Sequence, residues 1–283
     1  MEEKLSETML DAYIRYLKEA ERSPATVEKY RRDTSKFYSL LPEDKTISKE
    51  IVIAFKQTLA ERYASSSANS MLVAINGLLK FMGREDCCVK QLKSQRRFYN
   101  DDQEITKEEY YRLISVAQKQ RHERIGLIMQ TICSTGIRVS ELKFITIQAL
   151  AENHAHIRCK GKERIVVVPP DLKIMLLNYC KRKCVQKGSV FVTRNGNPVD
   201  RSNIWGDMKR LCGEAGVPPQ KVFPHNLRHL FATTFYRLEK DLVHLADILG
   251  HSSIETTRIY TTTSSAEHCE LLSRMGLVCV SGG

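Results

Sequence analysis

Apolar positions recur at helical spacing from the start of the chain, and the period changes only past its middle. Within residues 5–22 (LSETMLDAYIRYLKEAER), Met9, Tyr13, Tyr16 and Leu17 fall on one face, which predicts an amphipathic helix. Ser23-Pro24 then supplies an N-cap and a first-turn proline for a second helix over 24–41. Further helical runs cover Ser48–Tyr63 and Ser66–Met82, so the pattern predicts a small all-helical unit. Between Gly83 and Asp102 the periodicity lapses, and Lys90, Lys93, Arg96 and Arg97 load the gap with positive charge. Such a segment reads both as a solvated linker and as a basic strap along a phosphate backbone.

A second unit opens at Ile105. Thr106 and Glu109 have the spacing of a capping box, and Ile125–Ser134 reads as a buried helix. The chain then turns to strands. His156–Cys159 and Arg164–Val168 flank Lys160-Gly161-Lys162-Glu163, which predicts a β-hairpin with a very short basic turn. Leu172–Lys183 and Ser202–Glu214 read as helices on either side of a short strand, Val190–Val192, and a turn, Asn195–Pro198. An apolar helical run inside Phe223–Tyr260 and a last helix over Ala266–Met275 complete the chain.

Composition narrows the class. With 283 residues, 42% of them hydrophobic and 27% charged, the chain has the make-up of an ordinary soluble protein with room for two domains. Its net charge of +11 calls for a polyanionic partner, nucleic acid first. No long apolar run or polybasic juxtamembrane block speaks for a membrane, and the acidic opening MEEKLSETML is unlike a secretory leader. The nine cysteines are odd in number and lack any CxxC pair. They fit small apolar residues in a reducing cytoplasm better than a disulfide or zinc framework.

The candidate chemistry gathers in Phe223–Tyr260. It opens with His225-Asn226-Leu227-Arg228-His229, reaches Leu249-Gly250-His251, and ends at Tyr260. A guanidinium grips phosphate oxygens in pairs, imidazole moves protons near neutrality, and a tyrosyl oxygen can attack covalently. Together they suit metal-free attack on a phosphodiester. Each has a bland alternative when taken alone. Arg138 is equally a helix-start arginine pairing with Glu141, the turn lysines are equally solvated, and Tyr260 is equally a core tyrosine. Against burial of Tyr260 stands its polar approach, Thr256-Thr257-Arg258. His225 and His229 have the spacing of a helical metal pair, but Asn226 stands where HExxH requires glutamate, so no metal is assigned. His229 is expected to be a structural histidine bonded to backbone.

Five motifs in order carry a resemblance: Thr135-Gly136-Ile137-Arg138-Val139-Ser140-Glu141-Leu142, Lys160-Gly161-Lys162-Glu163-Arg164, His225-x-x-Arg228-His229, Leu249-Gly250-His251-Ser252, and Tyr260. At these spacings the chain resembles the tyrosine recombinase (phage integrase) family, in the form of Xer-like proteins and small mobile-element integrases. The resemblance implies a mainly α fold with a small antiparallel β-sheet. A helical core-binding domain would span 1–84, a basic linker 85–103 and a mixed α/β catalytic domain 104–265. A tail, 266–283, would be able to dock on a neighbouring protomer.

The resemblance also implies roles. Arg138 and Arg228 would clamp the scissile phosphate, with Glu141 buttressing Arg138. Lys160 would be the general acid and His225 would assist proton transfer with the tyrosine. His251 would hydrogen-bond the phosphate, and Tyr260 would be the nucleophile that forms a 3′-phosphotyrosine. No metal or other cofactor is implied. The hairpin departs from the family's frequent form, which has one more residue after Lys-Gly, so Lys162 stays an alternative acid. The partners implied are double-stranded DNA recombination sites, held by a homotetramer and exchanged through a Holliday junction in the bacterial cytoplasm. Arg31, Arg32, Lys90, Lys93, Arg96, Arg97 and Lys162 are the expected DNA contacts. Two alternatives stay open: a type IB topoisomerase, which shares this pocket chemistry, and a catalytically silent DNA-binding relative.

Overall fold

The computed structural model describes residues 4–93, 103–159, 162–251 and 253–261. The chain divides into two units, Met1–Arg96 and Arg97–Gly283. Lys160, Gly161, Arg96, Arg97 and the expected tail helix Ala266–Met275 lie outside the described residues.

The first unit holds four helices: α1 (Glu7–Glu19), α2 (Pro24–Leu40), α3 (Lys49–Arg62) and α4 (Ser65–Phe81). The starts of the first three are set locally. The side chains of Ser6, Ser23 and Ser48 accept the backbone N–H groups of Met9, Thr26 and Ile51; such a cap contributes about 1 kcal/mol. On α1, Tyr13, Ile14 and Leu17 are buried, whereas Tyr16 is 48% exposed and its ring packs on Phe81, 5.1 Å between centroids. Leu72, Ile75, Leu78 and Leu79 make α4 the centre of this core.

Residues 85–92, assigned above to a linker, pack onto this bundle. A 3₁₀ turn, Glu85–Cys87, buries Cys87, and Val89 joins the same core. The rest is extended and held by two amides on α4. Asn76 donates to the Val89 carbonyl (2.8 Å) and accepts its N–H (3.1 Å). Asn69 does the same for Leu92 at 3.0 and 2.7 Å. These side chains replace a partner strand, so the lapse of periodicity after Gly83 marks an extended segment rather than a wholly solvated one. Lys90 and Lys93 are exposed along it.

The second unit begins with α5 (Lys107–Lys119), whose capping box between Thr106 and Glu109 is formed in both directions. Next, α6 (Glu123–Thr135) is buried along Ile125–Met129 and at Ile132. A short α7 (Ile147–Glu152) leads into a two-stranded antiparallel sheet, β1 (His154–Cys159) with β2 (Lys162–Val167). The strands are longer than the sequence predicts, and Cys159 pairs with Lys162. Lys162 therefore belongs to the strand. Then follow α8 (Pro170–Arg182) and α9 (Arg201–Ala215). Val190–Val192, expected as a strand, makes only isolated bridges on either flank, Thr146 with Ser189 and Val192 with Pro198. Val190 and Phe191 are buried all the same, so this apolar run serves the core without joining a ladder.

The last described elements are α10 (Pro224–Glu239), α11 (Leu242–Leu249), α12 (Ile254–Thr257) and a 3₁₀ turn, Arg258–Thr261. Ala232, Leu245, Leu249 and Tyr260 close a small apolar cluster among them. Two glycines allow these pieces to meet. Gly136 ends α6 with φ of 62°, and a Cβ there would lie 2.5 Å from the Phe231 ring. Gly250 ends α11 with φ of 64°. Among the described residues no helix is long and apolar enough to cross a membrane.

Candidate active site

After Gly136 the chain turns through Ile137 and enters a 3₁₀ helix, Val139–Phe144, with Arg138 at its cap. The Arg138 backbone N–H donates to Glu141 Oε2 (2.9 Å), and its Nη1 donates to Oε1 (3.0 Å). Arg164 on β2 grips the same carboxylate in a fork, at 2.9 and 2.8 Å. Glu141 is 2% exposed. Burial pushes its carboxyl upward, but the Arg164 bonds and the Arg138 amide outweigh it and hold the pKa at about 2. One carboxylate is thus shared by two guanidiniums, which leaves a net positive charge. Arg138 keeps 39% of its side chain exposed, and its Nη2 reaches the Gly250 carbonyl at 3.5 Å.

Arg228 is held by different means. It is 3% exposed on α10 and donates to the carbonyls of Gly136 and, at 2.7 Å, of Leu249. These are the last carbonyls of α6 and α11, which helix geometry leaves without partners. Nη2 also donates to His251 Nε2 at 3.1 Å, and the guanidinium's charge acts on the Tyr260 phenol. Burial first, then repulsion from Arg138, lowers its pKa to about 10, so it stays charged at neutral pH.

The bond from Arg228 fixes the His251 tautomer. Nε2 must accept, so Nδ1 carries the proton and donates to Thr257 Oγ1 at 2.9 Å. Burial and the three surrounding arginines, Arg228, Arg138 and Arg164, lower the pKa of His251 to about 4. It is neutral at pH 7. Its ring lies 6.3 Å from that of Tyr260 at an interplanar angle of 16°. Tyr260 is 5% exposed, against the expectation from its polar approach. The polar run turns inward: Thr257 is fully buried and spends its hydroxyl on His251. Burial raises the Tyr260 pKa, while the charge and hydrogen bond of Arg228 pull against that rise.

His229, expected to bond backbone, meets a carboxylate through Nδ1. Its Nδ1 lies 2.8 Å from Glu104 Oε2, and its ring centroid is 4.8 Å from that of Tyr260. His225 sits one turn earlier on α10 and is exposed. Partial burial, followed by repulsion from His229 and Arg228, lowers its pKa. Asn226 donates to the carbonyls of Gln103 and Lys221, so it ties the start of the unit to α10 and takes no part in a metal set.

The sequence matches two family profiles: the phage integrase family over residues 103–267, and the phage integrase N-terminal SAM-like domain over residues 10–86. The first alone spans more than half of the chain. The chain belongs to the phage integrase family. Tyrosine recombinase XerA of Pyrococcus furiosus is 28% identical to it over 285 residues, covering 98% of this chain and 97% of that protein. The XerA of Thermococcus kodakarensis is 30% identical over 213 residues, 73% of each chain. Among solved structures, the XerH site-specific recombinase bound to a palindromic difH substrate shares the fold, with a TM-score of 0.73 at 18% identity over 96% of this chain and 99% of that one. This phage integrase family member is accordingly a tyrosine recombinase, an enzyme of site-specific DNA strand breakage and rejoining.

Within this family member the structure brings Arg138, Glu141, Arg228, His251 and Tyr260 around the Leu249–His251 turn. Three further residues belong to the cluster and were assigned no role from sequence: Arg164, Thr257 and Glu104. Arg164 stands inside one of the quoted motifs, and its period-2 offset along β2 was the available signal. Of the expected DNA contacts, Arg32, Lys90 and Lys93 are exposed, while Arg31 lies 3.6 Å from Asp11 and 4.0 Å from Glu28.

Proposed function

We propose that Tyr260 attacks a DNA phosphodiester held between Arg138 and Arg228, giving a 3′-phosphotyrosine and a free 5′-hydroxyl. The phosphorus–oxygen bond to Tyr260 forms as the bond to the sugar 5′-oxygen breaks. Charge gathers on the non-bridging oxygens in the transition state, and two fixed guanidiniums neutralise it. The observation that carries this reading is that buried Arg228 holds His251 and acts with its charge on Tyr260, while no carboxylate among the described residues forms an ion pair with it.

Proton transfers complete the step. The Tyr260 phenol must lose its proton on attack, and burial opposes that loss until a phosphate and an acceptor are in place. His225, exposed and with a lowered pKa, is the proposed acceptor. His251, neutral with Nδ1 bonded to Thr257, presents Nε2 as an acceptor, so its proposed part is to orient Arg228; donating to a phosphate oxygen, as the resemblance implies, would require the ring to reorient. Lys160, with Lys162 as the alternative, would protonate the leaving 5′-oxygen. The basic residues Arg31, Arg32, Lys90, Lys93, Arg96 and Arg97 would bind the duplex backbone.

The assembly proposed is a homotetramer on two double-stranded recombination sites, exchanging strands through a Holliday junction. Support comes from a fold shared with a lambda integrase tetramer bound to a Holliday junction, TM-score 0.70 at 17% identity. We place the reaction in a reducing cytoplasm, supported by free thiols at Cys87, Cys88, Cys133, Cys180, Cys184 and Cys212. A mobile-element or Xer-type resolution role completes the reading. The test is a library of nicked duplexes incubated with the full chain. A covalent adduct mapping to Tyr260, and lost in Tyr260→Phe, is expected; an adduct on another side chain would overturn the assignment.

A further inference from the structure

The outer face of the hairpin carries a second cluster. Strand alternation sends Ala155 and Ile157 into the core, 0% and 1% exposed, and leaves His154 and His156 on the opposite face. Across the ladder they pair with Val167 and Ile165, which are 68% and 57% exposed. At the near end α7 stops at Glu152, and Asn153 adopts the left-handed conformation, φ 63°. That single residue folds Glu152 back beside His154, and Lys173 holds the turn through Asn153 Oδ1 at 2.7 Å. One ligand atom from each of Glu152, His154 and His156 then lies within 4.8 Å of the others.

We infer that Glu152, His154 and His156 form a site for a first-row transition-metal ion of the zinc or nickel type. The tautomers favour it. His154 Nδ1 lies 2.8 Å from the Glu152 carbonyl oxygen, which can only accept, so Nδ1 carries the proton and Nε2 presents its lone pair. A backbone carbonyl on the far nitrogen is the arrangement that orients metal-binding imidazoles. His156 Nε2, 3.1 Å away, donates to that lone pair in the metal-free protein, so binding moves the His156 proton to Nδ1 and turns both nitrogens toward the ion. Two ligand nitrogens on a tetrahedral ion at ~2.0–2.1 Å stand about 3.3 Å apart, close to the spacing already present. Glu152 Oε2, 3.9 Å from His154 Nε2 and within 4.8 Å of His156, needs a shift of about half an ångström toward the first and up to about 1.5 Å toward the second, within reach of an exposed glutamate. Neutral imidazoles with a carboxylate suit zinc and nickel, and two solvent-facing positions stay for water. Bound metal would tie the end of α7 to β1, at the root of the β1–β2 hairpin.

The full chain titrated with zinc chloride, and separately with nickel chloride, in a calorimeter should bind one equivalent saturably. The His154→Ala/His156→Ala double variant should lose that equivalent, and Glu152→Gln should weaken it. All three side chains are at or near the surface, and melts in EDTA should match wild type. Wild type binding neither metal, or the double variant titrating like wild type because thiols hold the ion, would overturn the site. Glu152→Gln binding as wild type does would overturn the three-ligand arrangement.

Discussion

The turn around Arg138 and the turn around Arg228 present the same functional group under opposite conditions. Arg138 is part-exposed and answered by a carboxylate that Arg164 also holds. Arg228 is buried and answered only by carbonyls and a neutral imidazole. A carboxylate fixes a guanidinium firmly but cancels much of its field. Carbonyl dipoles fix it while leaving a full charge for a phosphate, at the cost of burying that charge. Burial without a carboxylate partner goes with the lowered pKa of Arg228, and burial beside that charge keeps His251 neutral. It also assigns different liabilities. Arg228 should fail through its own buried bonds, Arg138 through the carboxylate it shares.

The largest effect on rate is expected from Arg228→Lys. An ammonium has no planar fork, so it cannot reach both helix-end carbonyls and His251 together. Adduct formation on nicked DNA should slow ~100–1,000-fold, as for loss of a positioned transition-state donor. A carbonyl left unpaired should also lower stability by about 1–3 kcal/mol. Arg138→Lys should slow the reaction with a much smaller change in the melt. Equal melting losses in the two variants would remove the contrast.

Next comes Glu141→Gln. Removing this buried charge leaves Arg138 and Arg164 facing each other uncompensated, and the expected loss is about 3–5 kcal/mol. The carboxyl sits below its ordinary value, so its contribution is complete above pH ~4.3 and is lost as pH falls toward about 2. Denaturant melts of wild type should therefore weaken across that window, and those of Glu141→Gln should lack this component. An identical acid limb in both proteins would show that Glu141 is not the linked group.

How far the sequence carried these points differs by residue. Helix starts were legible at Ser23 and Thr106 because such side chains act on N–H groups within one turn; Ser6 and Ser48 cap in the same way. The arginines, His251 and Tyr260 were legible as motifs in order. Glu104 was not, since it meets His229 from 125 positions away and no local period marks it. The burial of Tyr260 was misjudged because polarity was read as exposure, whereas Thr257 satisfies its hydroxyl internally. The docking of residues 85–92 had a faint signal: Asn69 and Asn76 stand two helical turns apart, on one face of α4. Val190–Val192 looked like a strand because a short apolar run does not reveal whether it has a ladder partner.

A smaller and pH-borne effect separates His251 from the carboxylate side. Its value lies below the ordinary 6.5, at about 4. As pH falls the unfolded chain takes up this proton first. The stability it contributes is therefore complete above pH ~6.5 and is lost as pH falls through about 4. Protonation would also put a cation against Arg228, so cleavage should decline in the same acid range. In His251→Asn both the stability slope between pH 6.5 and 4 and that part of the rate profile should flatten. A wild-type rate that collapses already near pH 6.5 would contradict the lowered value.

The smallest expected change lies at Gly250, in the turn where the two arrangements meet. Its carbonyl meets Arg138, the preceding carbonyl meets Arg228, and its own α-carbon packs on Arg164. A Cβ there would stand 2.5 Å from Arg164 Cδ and 3.0 Å from Nε, on backbone with φ of 64°. Gly250→Ala should cost about 1–2 kcal/mol for the left-handed conformation, with a further loss as Arg164 moves. Arg164 is long and can shift, but doing so loosens its fork on Glu141 and, through it, Arg138. The rate should therefore fall with the Arg138 arrangement while Arg228 and His251 hold their bonds, so the acid limb of the rate profile should keep its wild-type position. If that limb moves instead, strain at Gly250 is passing into the Arg228 turn, and the two arrangements are mechanically one.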